Sequence, residues 1–432
     1  MELAEQLRQA RWFGGKSRTI SDARVVDRAC CVADAPLLLV DVSYTSGPPD
    51  TYVMVEGLGD PSTARAVLGA FQGADVATDA GQRLEFRPTH VLERLEQKRT
   101  EPVALMRAEQ SNTSIRYGDA LMLKLFRRLQ FGPNPDVEVG WFLTEHSQFR
   151  GTPAVAGSLD YVRDDGQRAS LALLQEFVVN RGDAWSTIRA RLSEVLHGGD
   201  MSSSLTSIER LALTTADLHV ALGGGDADFA PEATDAGDVA AWRAAIHAEV
   251  AHASDGLARR QIAIDTGALL RRADGIDGLL GAAKIRHHGD YHLGQVLERE
   301  DGSFVVIDFE GEPSKPLAQR REKRSPLRDV AGMLRSLDYA RHVAVQSAGT
   351  DAEATDHVQI AGAWYSAARQ AFLDAYLREI RNASPALLPT DVEAPLAALE
   401  LEKAAYEVSY ELNNRPDWLP IPLAAMGDTE CR

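Results

Sequence analysis

Two neighbouring stretches decide the fold of this chain: His288-Gly289-Asp290-Tyr291-His292-Leu293-Gly294-Gln295 and Val305-Val306-Ile307-Asp308-Phe309-Glu310. The first places an aspartate behind His-Gly and an amide side chain five positions later (295 − 290 = 5). The second places another aspartate at the end of an apolar run of the β type. A buried carboxylate without a partner costs several kcal/mol, so a metal ion is a natural partner for Asp308. The alternative partner is one of the arginines between residues 320 and 335.

These parts match the needs of phosphoryl transfer from a nucleotide. That chemistry uses an acid that takes or orients the proton of a hydroxyl group, and oxygen ligands for magnesium. The spacing is similar to the H-R-D-x-x-x-x-N and D-F-G motifs of protein kinases. Gly289 stands in place of the Arg, Gln295 in place of the Asn, and Glu310 in place of the last Gly. The pattern predicts Asp290 as catalytic base and is typical of kinases that act on small molecules.

Composition limits the kind of protein and its partners. A chain of 432 residues is too long for one ordinary core, which predicts two or three domains. The net charge of −17 argues against nucleic acid as a partner, because a phosphate backbone demands a basic surface. Cys30, Cys31 and Cys431 form neither a disulfide framework nor a metal-binding motif. With no signal peptide and no apolar stretch long enough for a membrane span, we expect a cytoplasmic protein.

Changes of pattern along the chain divide it into three segments. Residues 1–90 mix a short helix with strands and are expected to form an N-terminal cap subdomain. Residues 91–178 combine strands with one helix near residues 136–145, as in a nucleotide-binding β-sheet. Residues 179–432 are mostly helical and contain both aspartate motifs, so that this segment would carry the catalytic and sugar-binding residues. The order of strands followed by helices predicts the α+β class.

Lys124 lies in the apolar strand Ala120-Leu-Met-Leu-Lys-Leu-Phe126, an unusual surrounding for an ammonium group. A lysine so placed corresponds to the kinase lysine that pairs with phosphates and with a glutamate on a helix. Glu138 is the first candidate for that glutamate and Glu145 the second. The alternative is a lysine that extends its ammonium group from a half-exposed strand into water.

Two further segments are candidates for nucleotide contacts. The run Gln110-Ser-Asn-Thr-Ser114 lies between two predicted strands, and a turn here would offer phosphates the groups of Ser111, Asn112, Thr113 and Ser114. Without that role it is an ordinary polar hairpin loop. The segment Gln175-Glu-Phe-Val178 has the chain position of a kinase hinge, where adenine would pair with backbone groups of Gln175, Phe177 and Val178. As a bare sequence, it is only the end of a strand.

A cluster near the C-terminus has the composition of a sugar site. Glu407 and Glu411 are four residues apart, so both carboxylates would share one helix face and would need a cation or donors between them. Trp418 offers a flat apolar face on which a sugar ring can stack, while polar neighbours bind its hydroxyl groups. The alternative is a solvated helix on which Arg415 is the intrachain partner.

Two histidines receive different interpretations. His292 follows the catalytic motif closely and would orient the acceptor or a neighbouring carboxylate. His219 lies on an apolar helical face, which indicates a core histidine with its hydrogen bonds satisfied.

With these residues in place, the chain resembles bacterial maltokinases and the closely related actinobacterial glucosamine kinases, within the aminoglycoside-phosphotransferase-like group. The matching segments are residues 11–16, 109–114, 288–296, 308–313, 325–335 and 406–422. The resemblance implies a bilobal protein-kinase-like fold with an N-terminal cap and a mostly helical C-lobe. It also implies ATP and Mg²⁺ as cofactors, Asp290 as catalytic base, and Gln295 and Asp308 as metal ligands.

The resemblance leaves the acceptor open. Maltokinases phosphorylate the anomeric hydroxyl of maltose, whereas the glucosamine kinases phosphorylate the 6-hydroxyl of the amino sugar. Glu407 and Glu411 would suit a protonated 2-amino group, which favours glucosamine, although maltokinases carry similar glutamates. Maltose and an aminoglycoside antibiotic are the alternative acceptors. The expected partners are a small sugar and ATP, with the chain as a monomer or small homo-oligomer away from membranes.

A catalytically idle pseudokinase that serves as a binding module is a further alternative. Such a protein would be expected to lack Lys124, Asp290 or Asp308. All three are present, which favours an active enzyme.

Overall fold

The computed structural model describes residues 3–30, 36–98, 100–106, 112–348 and 354–427. The chain forms two compact units, the first made of Met1–Val179 with Pro313–Arg320 and the second of Asn180–Glu312 with Arg321–Arg432. Strands dominate the first unit and helices the second. The α+β class predicted from the sequence is therefore confirmed. Among the described residues, no helix combines the length and the apolar character that crossing a bilayer requires.

The first unit contains two antiparallel sheets. In chain order its elements are α1 (Leu3–Gln9), β1 (Ile20–Ala29), β2 (Leu37–Tyr44), β3 (Asp50–Val55), α2 (Pro61–Ala70), β4 (Val76–Ala77), β5 (Arg83–Pro88), α3 (Leu92–Glu96), β6 (Val103–Leu105), β7 (Asn112–Tyr117), β8 (Leu121–Phe126), α4 (Pro135–Glu145), β9 (Val155–Val162) and β10 (Arg168–Glu176). The strand orders are β1-β2-β3 in the small sheet and β4-β5-β9-β10-β8-β7-β6 in the large one. Because β4 and β5 pair into the large sheet, that sheet takes strands from both sides of residue 90. The division into a cap and a nucleotide-binding lobe stays a prediction.

Both faces of β2 are covered, which explains its unbroken apolar run. Leu39 packs with Leu123 and Leu171 of the large sheet in one buried cluster. On the opposite face, Val40 packs with Leu7 of α1. A strand buried on both faces needs apolar residues at consecutive positions, because its side chains alternate between the faces.

The second unit is a helical assembly with two small β-hairpins. Its elements are α5 (Ala184–Leu196), α6 (Ser202–Leu222), β11 (Glu232–Ala233), α7 (Ala236–Ala258), α8 (Thr266–Ala273), β12 (Ala283–Lys284), β13 (Val296–Glu298), β14 (Phe304–Val306), α10 (Leu327–Ser347), α11 (Ala354–Ala383), α12 (Glu393–Asn414) and α13 (Pro420–Met426). Helix α9 (Leu317–Arg320) precedes α10 in the chain and belongs to the first unit. The hairpins pair β11 with β12 and β13 with β14.

Polar contacts join α10 to α12 at three levels. They are Arg328 Nε to Glu402 Oε2 at 3.2 Å, Arg335 Nη2 to Glu407 Oε2 at 2.7 Å, and the Tyr339 hydroxyl to Glu411 Oε1 at 3.2 Å. Residue numbers rise together along both helices, so the two run in the same direction through these contacts. Charges taken out of water need such partners, because an unpaired buried charge is costly. The contacts therefore fix the register of α12 against α10.

The predicted turn from Gln110 to Ser114 is wrong where the structure describes it. Asn112, Thr113 and Ser114 form the first half of β7, and Ser114 lies opposite Lys124 in β8. Ser111 lies outside the described residues. Pairing with β8 satisfies the backbone groups of these polar residues, so sheet context overrides their turn propensity.

Trp364 offers a test of helix packing in the second unit. Its buried indole donates from Nε1 to Ser204 Oγ at 2.9 Å, which ties α11 to α6. We expect Trp364→Phe to lower the free energy of unfolding by about 1–3 kcal/mol, because it leaves the buried Ser204 hydroxyl without this partner. Chemical denaturation measures the loss. Val358→Ala, at an exposed position of α11, should change it by less than about 0.5 kcal/mol. Equal effects of the two substitutions would contradict this role of Trp364.

Candidate active site

One buried carboxylate holds the loop that contains Asp290. Asp329, in the first turn of α10, accepts hydrogen bonds from the backbone N–H groups of His288 (2.8 Å) and Gly289 (3.0 Å). His219 Nε2 lies 3.2 Å from the same carboxylate. Burial alone would raise the pKa of Asp329, but the hydrogen bond from His219 and the adjacent histidines hold this pKa well below its usual range. The ionised carboxylate thereby fixes the backbone just before Asp290.

His219 is a core histidine, as predicted from its apolar surroundings. Its side chain is fully buried, and Nδ1 lies 2.8 Å from the Tyr376 hydroxyl. With Asp329 on the other ring nitrogen, both nitrogens have partners. Through Asp329, this histidine therefore supports the loop that contains Asp290.

The Gly289 backbone explains why glycine replaces the arginine of the kinase motif. Its φ is +85°, in the left-handed region, and a Cβ atom here would come within 3.3 Å of Gly311 Cα. Glycine adopts this conformation at little cost, whereas other residues are strained. Gly311 directly follows the Asp308-Phe-Glu310 motif. The close approach thus brings the two motifs side by side.

His288 links the two motifs directly. Its Nε2 lies 2.9 Å from the carbonyl oxygen of Ile307, and its Nδ1 lies 3.3 Å from the backbone N–H of Asp290. Its ring also packs on Phe309, with ring centroids 5.0 Å apart. A proton on Nε2 and a lone pair on Nδ1 satisfy both contacts.

Gln295 and Asp308 come together as the spacing predicts. Gln295 Nε2 donates to Asp308 Oδ2 at 3.1 Å, and the Ile307 N–H donates to the Gln295 carbonyl at 2.9 Å. Because the side-chain amide nitrogen of Gln295 donates to Asp308, the atom of Gln295 that could bind a metal ion is Oε1. Amide and carboxylate oxygens suit a hard cation such as Mg²⁺, so this donor set fits the implied ion.

The backbone at Asp308 is in an uncommon conformation. Its φ is +67°, in the left-handed region that non-glycine residues seldom adopt. Strained backbone of this kind costs about 1–3 kcal/mol and clusters at functional sites, where surrounding contacts maintain it. The strain supports a functional role for the aspartate.

All five residues predicted to bind the acceptor line one cavity of about 530 Å³ in the second unit: Asp290, His292, Glu407, Glu411 and Trp418. Asp290 and His292 come from the loop that follows Gly289. The glutamates come from α12, and Trp418 comes from the segment after α12. Tyr339 of α10 also lines the cavity, and its ring centroid lies 6.1 Å from that of Trp418. The cavity thus combines a candidate base, two carboxylates and aromatic faces.

Each glutamate of the cavity has its own cation. Arg335 Nη2 lies 2.7 Å from Glu407 Oε2, and Arg415 Nη2 lies 2.7 Å from Glu411 Oε1. Arg415 is therefore a partner of Glu411, as the alternative interpretation expected. The helix face is not solvated, however, because Glu411 is buried. Burial raises the pKa of Glu407, against the opposing effect of Arg335.

His292 faces this cavity as a neutral ring. Its Nδ1 accepts the Gly294 N–H at 3.0 Å, which leaves the proton of the neutral ring on Nε2. Burial lowers the pKa of His292, although the charges of Asp290 and Asp308 act in the opposite direction. Both carboxylates therefore lie close enough to act on the same ring.

In the first unit, Lys124 pairs with a residue that the sequence analysis missed. Its Nζ lies 2.9 Å from Asp136 Oδ2, and both side chains are buried, so the half-exposed lysine of the alternative interpretation is wrong. Helix α4 begins at Pro135 with Asn134 as its N-cap, which puts Asp136 in the first turn. Glu138, the predicted partner, lies in the same turn. Asn-Pro before Asp136 was the available signal, because it marks a helix start.

The candidate hinge is partly engaged within the protein. Gln175 lies in β10 opposite Met122, and the Phe177 N–H donates to the Ala120 carbonyl at 2.9 Å. Val178 is buried. The Phe177 N–H is thus already used, and adenine recognition by this segment stays a prediction.

Three charged residues near the cavity were also missed: Asp329, Arg335 and Lys403. Asp329 stands between Leu327 and Val330 at a helix start, and a charge in an apolar stretch was a usable signal. The sequence around Lys403 gave no such signal, because this lysine lies within an ordinary helical pattern. It lines the cavity and donates to Glu312 at 2.8 Å.

His287 makes stability depend on pH. It is buried, no described residue hydrogen-bonds its Nδ1, and burial lowers its pKa from 6.5 to about 3. The unfolded chain therefore takes up a proton between these two pH values and the folded chain does not. The contribution of His287 to the free energy of unfolding is fully present above pH 6.5. Below that pH, this contribution should fall by about 1.4 kcal/mol per pH unit until the pH reaches about 3.

Chemical denaturation from pH 7.5 to 4.5 measures this dependence. His287→Phe should reduce the slope, whereas His252→Gln, at an exposed position, should leave it unchanged. Equal slopes in wild type and His287→Phe would show that His287 does not cause it.

Comparison with known proteins was made with both sequence and structure. Among similar sequences, glucosamine kinase of Mycolicibacterium smegmatis is 28% identical over 328 residues, which cover 74% of this chain and 77% of that protein. Glucosamine kinase of Streptacidiphilus jiangxiensis is also 28% identical, with 74% and 72% covered. No protein-family model matches the chain.

Solved structures show a similar fold. A glucosamine kinase in complex with glucosamine, ADP and inorganic phosphate has a TM-score of 0.73 at 22% identity, with 99% of both chains covered. A second crystal form of glucosamine kinase also has a TM-score of 0.73, at 21% identity. The resemblance inferred from the sequence is therefore confirmed: this chain is a sequence relative of the glucosamine kinases and has their fold.

Proposed function

We propose that this chain is an ATP-dependent sugar kinase that phosphorylates D-glucosamine to D-glucosamine 6-phosphate. The observation that carries the proposal is that Asp290 shares one cavity with Glu407, Glu411 and Trp418. Relatives named glucosamine kinase support the acceptor, and a solved relative with bound ADP supports the nucleotide. A cytoplasmic location and a monomeric or small oligomeric state stay predictions.

Asp290 would accept the proton of the attacking hydroxyl group. Its backbone is fixed by the contacts of Asp329 with the two preceding residues, so its carboxylate needs little reorganisation during the reaction. His292, neutral with a proton on Nε2, would donate a hydrogen bond to the sugar or to a carboxylate. Gln295 Oε1 and Asp308 would hold Mg²⁺, which neutralises charge on the transferred phosphoryl group when bound.

The nucleotide side of the proposal depends on the first unit. The buried Lys124–Asp136 pair keeps an ammonium group oriented on β8, where it would neutralise phosphate charge. Asn112, Thr113 and Ser114 of β7 remain candidates for phosphate contacts, and Gln175, Phe177 and Val178 for adenine contacts. Glu138 remains a candidate second partner of Lys124.

The charge of the cavity favours a cationic sugar. Its lining contains four carboxylates (Asp183, Asp290, Glu407 and Glu411) and two cations (Lys403 and Arg415). With Arg335, the partner of Glu407, the count is 3 − 4 = −1 with neutral His292. Glucosamine carries a positive amino group at neutral pH, whereas maltose and glucose carry no charge. A cavity with an excess of negative charge attracts the former more strongly.

An aminoglycoside antibiotic remains a second candidate acceptor, because the same negative charge favours a polycation. Maltose is the other alternative, supported by the sequence resemblance but not by the charge of the cavity. One panel of glucosamine, maltose, glucose and kanamycin under identical conditions separates the three. If kcat/KM is higher for maltose or kanamycin than for glucosamine, that compound is the acceptor and the assignment of glucosamine is wrong.

Asp290→Asn tests the catalytic assignment. We expect kcat to fall by about 100-fold to 10,000-fold, because a general base of this kind contributes on that order. Nucleotide affinity, measured by the thermal shift with ATP and Mg²⁺, should stay close to that of wild type. Undiminished turnover in the variant would remove Asp290 from the mechanism, and no thermal shift in wild type would favour a protein without nucleotide binding.

Glu407→Gln tests recognition of the amino group. Loss of the carboxylate charge should lower kcat/KM for glucosamine by about 10-fold or more, because hydrogen bonds to charged groups contribute about 1.5–3 kcal/mol. The same substitution should affect glucose less, since glucose has no ammonium group. Glu209→Gln, at an exposed position of α6, is the control. Equal losses for both sugars would contradict a contact between Glu407 and the amino group.

A further inference from the structure

A second cavity in the second unit is rich in arginine. Its volume is about 280 Å³, and its charged lining consists of Arg272, Arg335, Arg341, Arg369, Asp338 and Glu400. Four guanidinium groups face two carboxylates, and Glu407 is a further partner of Arg335, which gives 4 − 3 = +1 in a chain whose net charge is −17. Arg335 is buried, whereas Arg272, Arg341 and Arg369 are half-buried, so part of this charge can be reached from solvent.

The carboxylates near this cavity do not use all the donors of its arginines. Arg369 makes a bidentate pair with Glu400, and Arg341 Nε donates to Asp338 Oδ1 at 2.6 Å. No described residue accepts a hydrogen bond from Nη1 or Nη2 of Arg341. Arg272 donates from Nε and Nη1 to the carbonyls of Ala397 and Ala425, and no described residue accepts from its Nη2. Donor groups therefore remain on two arginines that line the same cavity.

Neighbouring charges act on these arginines in both directions. Burial would lower the pKa of Arg335 and that of Arg369, but the charges of Glu407 and Asp338 raise the pKa of Arg335, and the hydrogen bonds with Glu400 raise that of Arg369. Burial lowers the pKa of Arg272, against the effect of Glu400. The N–H groups of Arg272 and Arg341 without a described acceptor are therefore the groups available to a ligand.

We propose that this cavity binds a small phosphate-type oxyanion, either inorganic phosphate or the phosphate group of a small ester. Guanidinium groups present N–H donors in a planar fork that matches the oxygens of a phosphate. The unused donors of Arg341 and Arg272 would bind the oxygens, and the excess charge of the lining would be neutralised.

The anion site is linked to the proposed sugar cavity through Arg335, and this link rests on the proposed sugar kinase function. Arg335 donates from Nη1 to Asp338 at 2.6 Å and from Nη2 to Glu407 at 2.7 Å. An anion beside Arg335 competes with Glu407 for the same guanidinium group. Its binding should therefore weaken the hold on Glu407 and change the affinity for the sugar.

Isothermal titration of the full-length chain with inorganic phosphate tests the site. A saturating non-hydrolysable ATP analogue with Mg²⁺ occupies the nucleotide site during the titration. We expect saturable binding that weakens as ionic strength rises. Arg341→Gln should lower the affinity by about fivefold or more, and Arg341→Lys should retain part of it. Arg378→Gln, at an exposed position of α11, should leave it unchanged.

A second titration with glycerol 3-phosphate separates the two sources of the anion. Tighter binding of the ester, with the same loss in Arg341→Gln, identifies a phosphate ester as the ligand; equal or weaker binding identifies inorganic phosphate. Absence of saturable binding by both probes, or binding that Arg341→Gln does not weaken, would overturn the site. Circular dichroism confirms that the variants are folded.

Kinetics test the link to the sugar cavity. The KM for glucosamine should change with added phosphate in wild type and stay constant in Arg341→Gln. A KM independent of phosphate in both proteins would overturn the link through Arg335. If the chain phosphorylates no sugar, the proposed function fails, while the titrations still decide whether the anion site exists.

Discussion

The site in the second unit depends on one buried carboxylate, that of Asp329. It holds the backbone N–H groups of His288 and Gly289, and so it fixes the residue that follows them. The same helix, α10, carries Arg335 and Tyr339, which contact the glutamates of α12. One helix therefore holds both the loop of the candidate base and the two glutamates of the cavity. Catalysis gains from such preorganisation, because small displacements of reacting groups lower rates steeply.

The ion pairs between α10 and α12 lie at positions where apolar side chains could make the protein equally stable. Arg328 contacts Glu402, Glu312 and the carbonyl of Gly289, and all these contacts lie within the second unit. Apolar residues can often replace a buried ion pair without loss of stability, whereas removal of one partner costs about 3–5 kcal/mol. Their presence here is explained by position: Arg328 donates to the carbonyl of Gly289, just before Asp290, and Arg335 holds the carboxylate of Glu407.

Local patterns predicted the elements and the motif residues, while tertiary contacts decided the partners. Helix α4, strand β8 and the contact of Gln295 with Asp308 follow from periodicity and spacing in the sequence. The pairing of Lys124 with Asp136 depends on where α4 begins, which the periodicity of the sequence does not define to the residue. Asn112 to Ser114 carry turn-forming side chains, yet the ladder with β8 makes them a strand. The role of Arg335 could not be assigned from the sequence. Its partner Asp338 lies on α10, but its partner Glu407 lies on α12, and only the packing of the two helices brings Glu407 to it.

Opposite charges in two neighbouring cavities bear on the choice of sugar. The Arg335–Glu407 ion pair lies between a lining of charge −1 and a lining of charge +1, with the pair counted in both. Burial raises the pKa of Glu407 even though Arg335 acts in the opposite direction, so a further cation would stabilise its charged form. An ammonium group in the cavity favours that charged form, whereas a neutral sugar does not. If this chain phosphorylates glucosamine as proposed, Glu407 would discriminate by charge as well as by hydrogen bonding, and the amino sugar would gain from both.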